Sequence, residues 1–481
     1  MADREPSFYI RSLAVPAFSL GSTMTSTPER RAPDWSRLLG GLLLGLALLT
    51  LWTGPLFIRN DGLLRYEQLD RLLSSGALTP DKYSLVGPMT ATPLYELGAW
   101  VHSQPAPWVA RINLVHLTLA IAILLLRNSL GSMTVRLRFA VLLCMASMFP
   151  RHVQEFYGEV FTAVWAAIGL LLLLEGRWVT GSILAALAVA NTPAALVGLV
   201  TVAIDRIMVE KRLRWLLPIV LAALVIMAEN TLRRGSPLEA GYGVDQGFVS
   251  LSPYSGLPGF SYPILLGLLG LTVSFGKGLA FFAPGLFCAL HPDHRSSPIP
   301  VLRVWMIFTL GLLLVYSCWW SWYGGWFWGP RFLLFASIPA ALALARLTLA
   351  YATLSTGWLI VTVLVTTTSF WVGASGFFYD QRGLEYLTMG NYALESLAWY
   401  APEFSVLWHP LMPPTNIDAL RGHPVFAPFA GPWVHTTSLV EYWWHPVAFV
   451  IAAGSVVLPM VWALGRRASR LRKLRFGKLS W

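Results

Sequence analysis

Charged residues are scarce in this chain of 481 residues: only 12% are Asp, Glu, Lys or Arg. That is far below the share in soluble domains and excludes a protein whose whole surface faces water. Acids are scarcer than bases, 24 against 35, which leaves a formal charge of +11. The excess does not mark a nucleic-acid binder. The acid-free tail, with Arg466, Arg467, Arg470, Arg472, Lys473, Arg475 and Lys478, follows an apolar run directly. It reads as an anchor on anionic membrane lipid, on the cytoplasmic side. The three cysteines, Cys144, Cys288 and Cys318, lie in or at the ends of apolar runs and read as small core residues. They indicate no redox compartment. His291, His294, His409 and His423 have no metal-ligand spacing. No internal repeat is visible, and no cleavable signal peptide. The first apolar run, Leu38–Phe57, follows a polar leader and reads as a span that stays.

What is abundant is apolar surface: 56% of residues are hydrophobic and 22 are Trp. Long apolar runs recur along the chain, so the fold class is an all-α polytopic membrane protein. Residues 1–37 form a polar cytoplasmic leader ending in Arg30, Arg31 and Arg37. Residues 38–376 form the membrane domain. Its first outer loop, 58–107, has helical periodicity over Asn60–Ser75 and Thr92–His102. Residues Trp178–Ile204 are too long for one straight span and break at Asn191-Thr192-Pro193. Tyr262–Leu290 is interrupted at Gly276-Lys277-Gly278, so a short interfacial or re-entrant helix, then a span ending near His291, is expected. Residues 377–443 form a second outer segment, with six acids against two bases. The last span lies in 444–464, and 465–481 is the basic cytoplasmic tail. Counting broken helices, roughly 12 crossings are expected.

One stretch stands out. Trp319–Phe332 reads W-W-S-W-Y-G-G-W-F-W-G-P-R-F between two apolar runs, so it turns at one membrane face. An interfacial belt explains some of its Trp. It does not explain Gly324-Gly325, or Gly329-Pro330 followed by Arg331. Pro330 suits the first turn of the next helix. Arg331 then stands near a helix N-terminus, where free N–H groups already favour an anion. An anionic ligand flanked by aromatic surface fits this stretch. The plain alternative is a Trp belt with one Arg reaching lipid headgroups.

The topology gathers other polar groups on the same face: Asn60-Asp61, Asp81-Lys82, Glu155, Glu159, Arg233, Arg234, Glu239, Tyr242 and Lys277. Carboxylates, cations and aromatics at a lipid boundary suit transfer of a sugar from a polyprenyl phosphate. That reaction needs a base for the acceptor hydroxyl, and cations or a metal for the leaving phosphate. Each residue has a structural alternative: Asp61 as a helix cap, Glu159 as an acid favoured by a helix dipole, and Lys277 as a snorkelling side chain. Arg233 and Arg234 could meet headgroups.

These motifs resemble a family. Asn60-Asp61-Gly-Leu-Leu-Arg65 and Phe156-Tyr157-Gly158-Glu159 resemble the two acidic loop motifs of GT-C glycosyltransferases. The runs Asn230–Tyr242, Gly267–Gly278 and Trp322–Phe332 follow in the order seen in bacterial relatives of protein O-mannosyltransferases and aminoarabinose transferases. The resemblance covers about Leu38 to Leu349. It implies a GT-C-like bundle, a polyprenyl-phosphate-linked sugar donor, a glycan, lipid or protein acceptor, and inversion at the anomeric carbon. It implies an active site on the extracytoplasmic side of a bacterial inner membrane. Asp61 is then the general base. Glu159, Lys277, Arg331, Arg233, Arg234, Tyr242, Lys82, Trp322, Tyr323 and Trp326 are the substrate-binding candidates. Two departures stand out: Ser274-Phe275-Gly276-Lys277 replaces the usual Ser-Pro-Gly-Lys, and the first loop has one Asp rather than a pair. Whether a divalent metal, Mg or Mn, takes part stays open. A lipid or glycolipid transporter, a non-catalytic binder of lipid-linked sugar, and a ligase moving a whole glycan from a lipid diphosphate are the rival readings.

Overall fold

The computed structural model describes residues 35–242, 253–292, 299–379, 392–411 and 443–476, together with 249, 251 and 294. The expectations for 1–34, for His423 and for most of 377–443 lie outside these residues. Among the described residues the fold is all-helical, with no strand beyond one isolated bridge. The helices of ten or more residues are α1 Trp35–Trp52, α2 Asp61–Ser75, α3 Thr92–His102, α4 Ile112–Leu125, α5 Met133–Met145, α6 Glu159–Leu174 and α7 Trp178–Asn191. They continue as α8 Leu196–Glu210, α9 Leu217–Arg234, α10 Ile264–Val273, α11 Pro300–Ser317, α12 Ser337–Leu349, α13 Thr356–Phe378 and α14 Trp444–Phe476.

Among the described residues seven helical stretches are long and apolar enough to cross a membrane: Trp35–Trp52, Ala106–Leu125, Leu213–Arg234, Pro300–Ser317, Arg331–Leu349, Thr356–Phe378 and Trp444–Arg470. The chain is therefore an integral membrane protein of the all-α class. Other expected spans are shorter. Glu159–Leu174, Trp178–Asn191 and Ile264–Val273 are apolar but fall below the length needed for a straight crossing.

Burial ranks the helices by position. In Arg331–Leu349, 83% of the apolar window is buried, against 22% in Leu213–Arg234. So α12 is the central helix and α9 lies at the periphery. Leu342, Ala343 and Ala345 of α12 are fully enclosed, and α12 packs on α5, α11 and α13. Helix α1 packs on α5 and α14, closing the other side of the core.

Local chemistry explains the breaks. The surface helices α2 and α3 form as their periodicity predicts. At Asn191-Thr192-Pro193 the proline has no N–H to continue the helix. The chain passes through a 3₁₀ turn, Pro193–Ala195, into α8. The Asn191 amide then ties distant parts together. It donates to Gly158 O at 2.9 Å and Thr162 Oγ1 at 3.0 Å, and accepts from Gly87 N at 3.1 Å.

Two expectations differ in detail. After Gly276-Lys277-Gly278 the chain forms only a short helix, Leu279–Phe282, and a 3₁₀ run, Pro284–Leu290, in place of a full span. Ala-Pro-Gly at 283–285 interrupts the hydrogen-bond ladder there. Pro330 is not helical, with φ −83° and ψ 73°. Arg331 opens a 3₁₀ turn, Arg331–Ala336, and the α-helix begins at Ser337. The last helix, α14, runs without a break from the apolar span into the basic tail as far as Phe476. Arg467 docks it by donating to the carbonyls of Leu354 and Ala352 at 2.7 and 2.9 Å.

Candidate functional site

Two backbone segments set the site. The end of the loop after α1 pairs with the loop before α6 through a parallel bridge, Phe57 with Glu155. Phe57 N donates to Gln154 O at 2.7 Å, and Phe156 N to Phe57 O at 3.3 Å. Asp61 lies four residues beyond Phe57, and Glu159 four beyond Glu155. Equal spacing from a parallel bridge brings the two acids side by side. Each opens a helix, α2 or α6, where the helix dipole favours negative charge.

Arg331 reaches both acids from the central element. Its Nη1 lies 2.7 Å from Asp61 Oδ2 and 3.7 Å from Glu159 Oε1. The guanidinium is flanked by the rings of Phe332, Tyr157 and Phe327, 4.9, 5.3 and 5.9 Å from its Cζ. The Tyr83 hydroxyl donates to Asp61, and the buried Arg65 lies over the Tyr83 ring at 4.7 Å. Burial alone would raise the Asp61 carboxyl. The Arg331 guanidinium, with help from Tyr83 and Arg65, outweighs it and holds the carboxyl below its usual range. Burial, and then the charge of Asp61, push the Tyr83 phenol far above its ordinary value, so it stays a donor. Among the described residues Arg331 Nε and Glu159 Oε2 are buried without a hydrogen-bond partner.

A second ionic cluster lies beneath. Glu155, fully buried, accepts from Arg59 Nε at 2.8 Å and from Arg151 Nη2 at 2.9 Å. Asn113 donates to the carbonyls of Glu155 and Tyr157 at 2.6 and 3.0 Å, which fixes the loop leading to Glu159.

Other candidates have different positions. Lys277 is buried, and its ammonium donates to the carbonyls of Gly325, Phe327 and Gly329 at 3.1, 2.5 and 3.2 Å. Those bonds use its three hydrogens, so it knots the glycine-rich turn and has no donor left for a phosphate. The turn needs that knot, because Gly324, Gly325 and Gly329 all take positive φ. Arg233 is likewise committed. Its five N–H groups donate to Thr79 O, Tyr83 O, Asp81 O, Gln68 Oε1 and Glu229 Oε1, at 2.6 to 3.0 Å. Arg234 donates to Pro80 O, Asn230 Oδ1 and Asp81 O. Both arginines clamp the first loop in place and do not face Asp61.

Lys82 sits between the rings of Tyr83 and Tyr242, at 5.4 and 5.7 Å, on the rim of the same loop. Tyr242 touches Trp319 edge-on at 5.8 Å. Trp322 is fully buried and Tyr323 stacks on Trp399 at 3.9 Å, so these two act as packing for the segment 392–411. That segment seals the break: Gly276 N donates to Trp399 O at 3.0 Å, and a Cβ on Gly276 would lie 1.8 Å from Ala398 O. Trp326 packs half-buried against the core.

Sequence reasoning passed over Tyr83 and Glu229, and quoted Arg65 only as the end of a motif, without a role. Tyr83 follows directly on the Asp81-Lys82 pair already singled out. Glu229 precedes Arg233 by one helical turn, the spacing of a helix ion pair. Among the described residues no group of three or more His, Cys, Asp and Glu side chains could hold a metal. Asp61 and Glu159 converge on a guanidinium instead, so the donor set does not fit a resident divalent ion. No family model, curated protein or solved structure matches this chain.

Proposed function

We propose that this protein is an inverting glycosyltransferase of the GT-C type, with a membrane bundle of about 12 helices, broken ones included. It moves a sugar from a polyprenyl phosphate to an acceptor hydroxyl on the extracytoplasmic side. The meeting of Asp61 and Arg331 carries this reading. They are 270 positions apart (331 − 61) and lie 2.7 Å from each other at the head of the most enclosed helix. Glu159 and Arg65 stand beside them, at a level rich in aromatic rings.

The chemistry follows from the ion pair. The donor carries a phosphodiester anion, and Arg331 is the cation placed to receive it through charge-assisted hydrogen bonds. When the guanidinium turns to phosphate, Asp61 loses the charge that depresses its carboxyl and becomes a better base. The acceptor hydroxyl gives its proton to Asp61, and its oxygen bonds to the anomeric carbon. The bond from that carbon to the phosphate oxygen breaks, and polyprenyl phosphate leaves as an anion held by Arg331 and Arg65. Tyr83 keeps Asp61 oriented throughout.

The test is Asp61→Asn. Mass spectrometry of membrane glycolipids and glycoproteins compares cells with wild-type protein, with the variant at equal level, and with none. Loss of a positioned base lowers the rate by about 10²- to 10⁴-fold. The variant should therefore match the cells lacking the protein. A wild-type glycan profile from Asp61→Asn would overturn the assignment.

A further inference from the structure

His152 is the most enclosed histidine near the site, 1% exposed, yet among the described residues neither ring nitrogen has a hydrogen-bond partner. Buried imidazoles are normally paired at one nitrogen or both, and an exception marks a place where water or a ligand completes the bonding. The surroundings say which kind of ligand. The His152 ring lies 4.9 Å from the Phe327 ring. That same ring touches Tyr157 at 5.0 Å, Arg151 at 5.5 Å and Arg331 at 5.9 Å. Burial, and then the charges of Arg151, Arg331 and Lys277, hold the imidazole neutral. Cations on several sides of an unpaired imidazole favour an anion and disfavour a cationic ligand.

The neighbouring guanidinium points the same way. Arg331 Nη1 meets Asp61 and Glu159, but among the described residues its Nε is buried without a partner. One negative group, oxygen-rich and able to accept several N–H bonds, would complete the bonding of both side chains.

We infer that His152 is a phosphate-contacting residue of the donor site, donating a ring N–H to the phosphate that Arg331 receives. This rests on the polyprenyl-phosphate reading above and adds a residue to it. Phe327, between two glycine-rich corners of its loop, separates His152 from Arg331 and would have to shift aside for a shared ligand.

Full-length protein in detergent is titrated with undecaprenyl phosphate and, in parallel, with uncharged undecaprenol. His152→Phe keeps the ring and removes both nitrogens; His152→Gln keeps one donor and one acceptor. His152→Phe should weaken undecaprenyl phosphate by about tenfold or more, leave undecaprenol unchanged, and be partly rescued by His152→Gln. Equal affinity for the phosphate in His152→Phe, or a parallel loss for both lipids, would overturn the inference. If wild-type protein binds the two lipids alike, the donor-phosphate reading itself falls, and this inference with it. Should His152→Phe not fold, the ¹⁵N histidine spectrum of wild-type protein decides. One buried imidazole must respond to undecaprenyl phosphate and not to undecaprenol; no response refutes the contact.

Discussion

Arg233 offers the sharpest structural test, because its whole hydrogen-bonding capacity is accounted for. Its side chain is 1% exposed and ion-paired to Glu229 at 2.6 Å, while three of its donors hold the backbone at 79, 81 and 83. Glu229 in turn accepts from Ser84 Oγ at 2.6 Å and Leu85 N at 2.8 Å. Arg233→Ala removes all five bonds and leaves Glu229 unpaired beneath the loop. Removing one partner of a buried ion pair costs about 3–5 kcal/mol. Glu229 retains 14% exposure, so water can reach it and the lower end applies. About 3 kcal/mol corresponds to somewhat over two powers of ten in a local opening equilibrium. The assay is hydrogen exchange of the full-length protein in detergent, read at peptides spanning 79–86. Exchange there should accelerate about 10²-fold while α12 keeps its protection. The double variant Arg233→Met with Glu229→Gln should recover part of the loss, since no lone charge is then buried. Unchanged exchange at 79–86 in folded Arg233→Ala would refute the clamp and return Arg233 to the list of donor-site candidates.

Further outcomes follow from the same geometry. Arg331 holds the Asp61 carboxyl below its usual range, so Asp61 stays ionised as pH falls through ordinary carboxylate values. The acid limb of kcat/KM, which reports the free enzyme, should therefore lie at lower pH than an ordinary carboxylate base allows. Arg331→Gln should move the acid limb of the pH–rate profile upward, and an unmoved limb would count against Asp61 as base. For stability, the ion pair contributes fully above the unfolded carboxylate value, and its contribution is lost as pH falls through the folded value. Thermal unfolding against pH reads this, and the loss should be absent in Arg331→Gln. Lys277→Met strands three buried carbonyls at about 1–3 kcal/mol each, so the Trp-fluorescence melting temperature should drop, without rescue by Arg. Gly276→Ala places a methyl group 1.8 Å from Ala398 O; segment 392–411 should undock and become open to limited proteolysis.

The all-helical membrane fold was legible because apolar periodicity is written into each helix. The surface helices α2 and α3 and the break at Asn191-Thr192-Pro193 were legible for the same local reason. Pairings across hundreds of positions were not. Lys277 and Arg233 look in sequence like free cations near a site. Their hydrogens go to carbonyls that only the folded turn and loop present. The convergence of Asp61, Glu159 and Arg331 depends on the Phe57–Glu155 bridge, which no local pattern announces. His152 escaped notice because what singles it out is a lack of partners, visible only in three dimensions.

The Asp61–Arg331 contact also bears on biogenesis. The ribosome delivers the two acids long before the guanidinium, so until the chain has been inserted past Arg331 the contact that joins them to the central helix cannot form. Completion of the central helix is therefore a precondition for the ion pair that ties α2 and α6 to it.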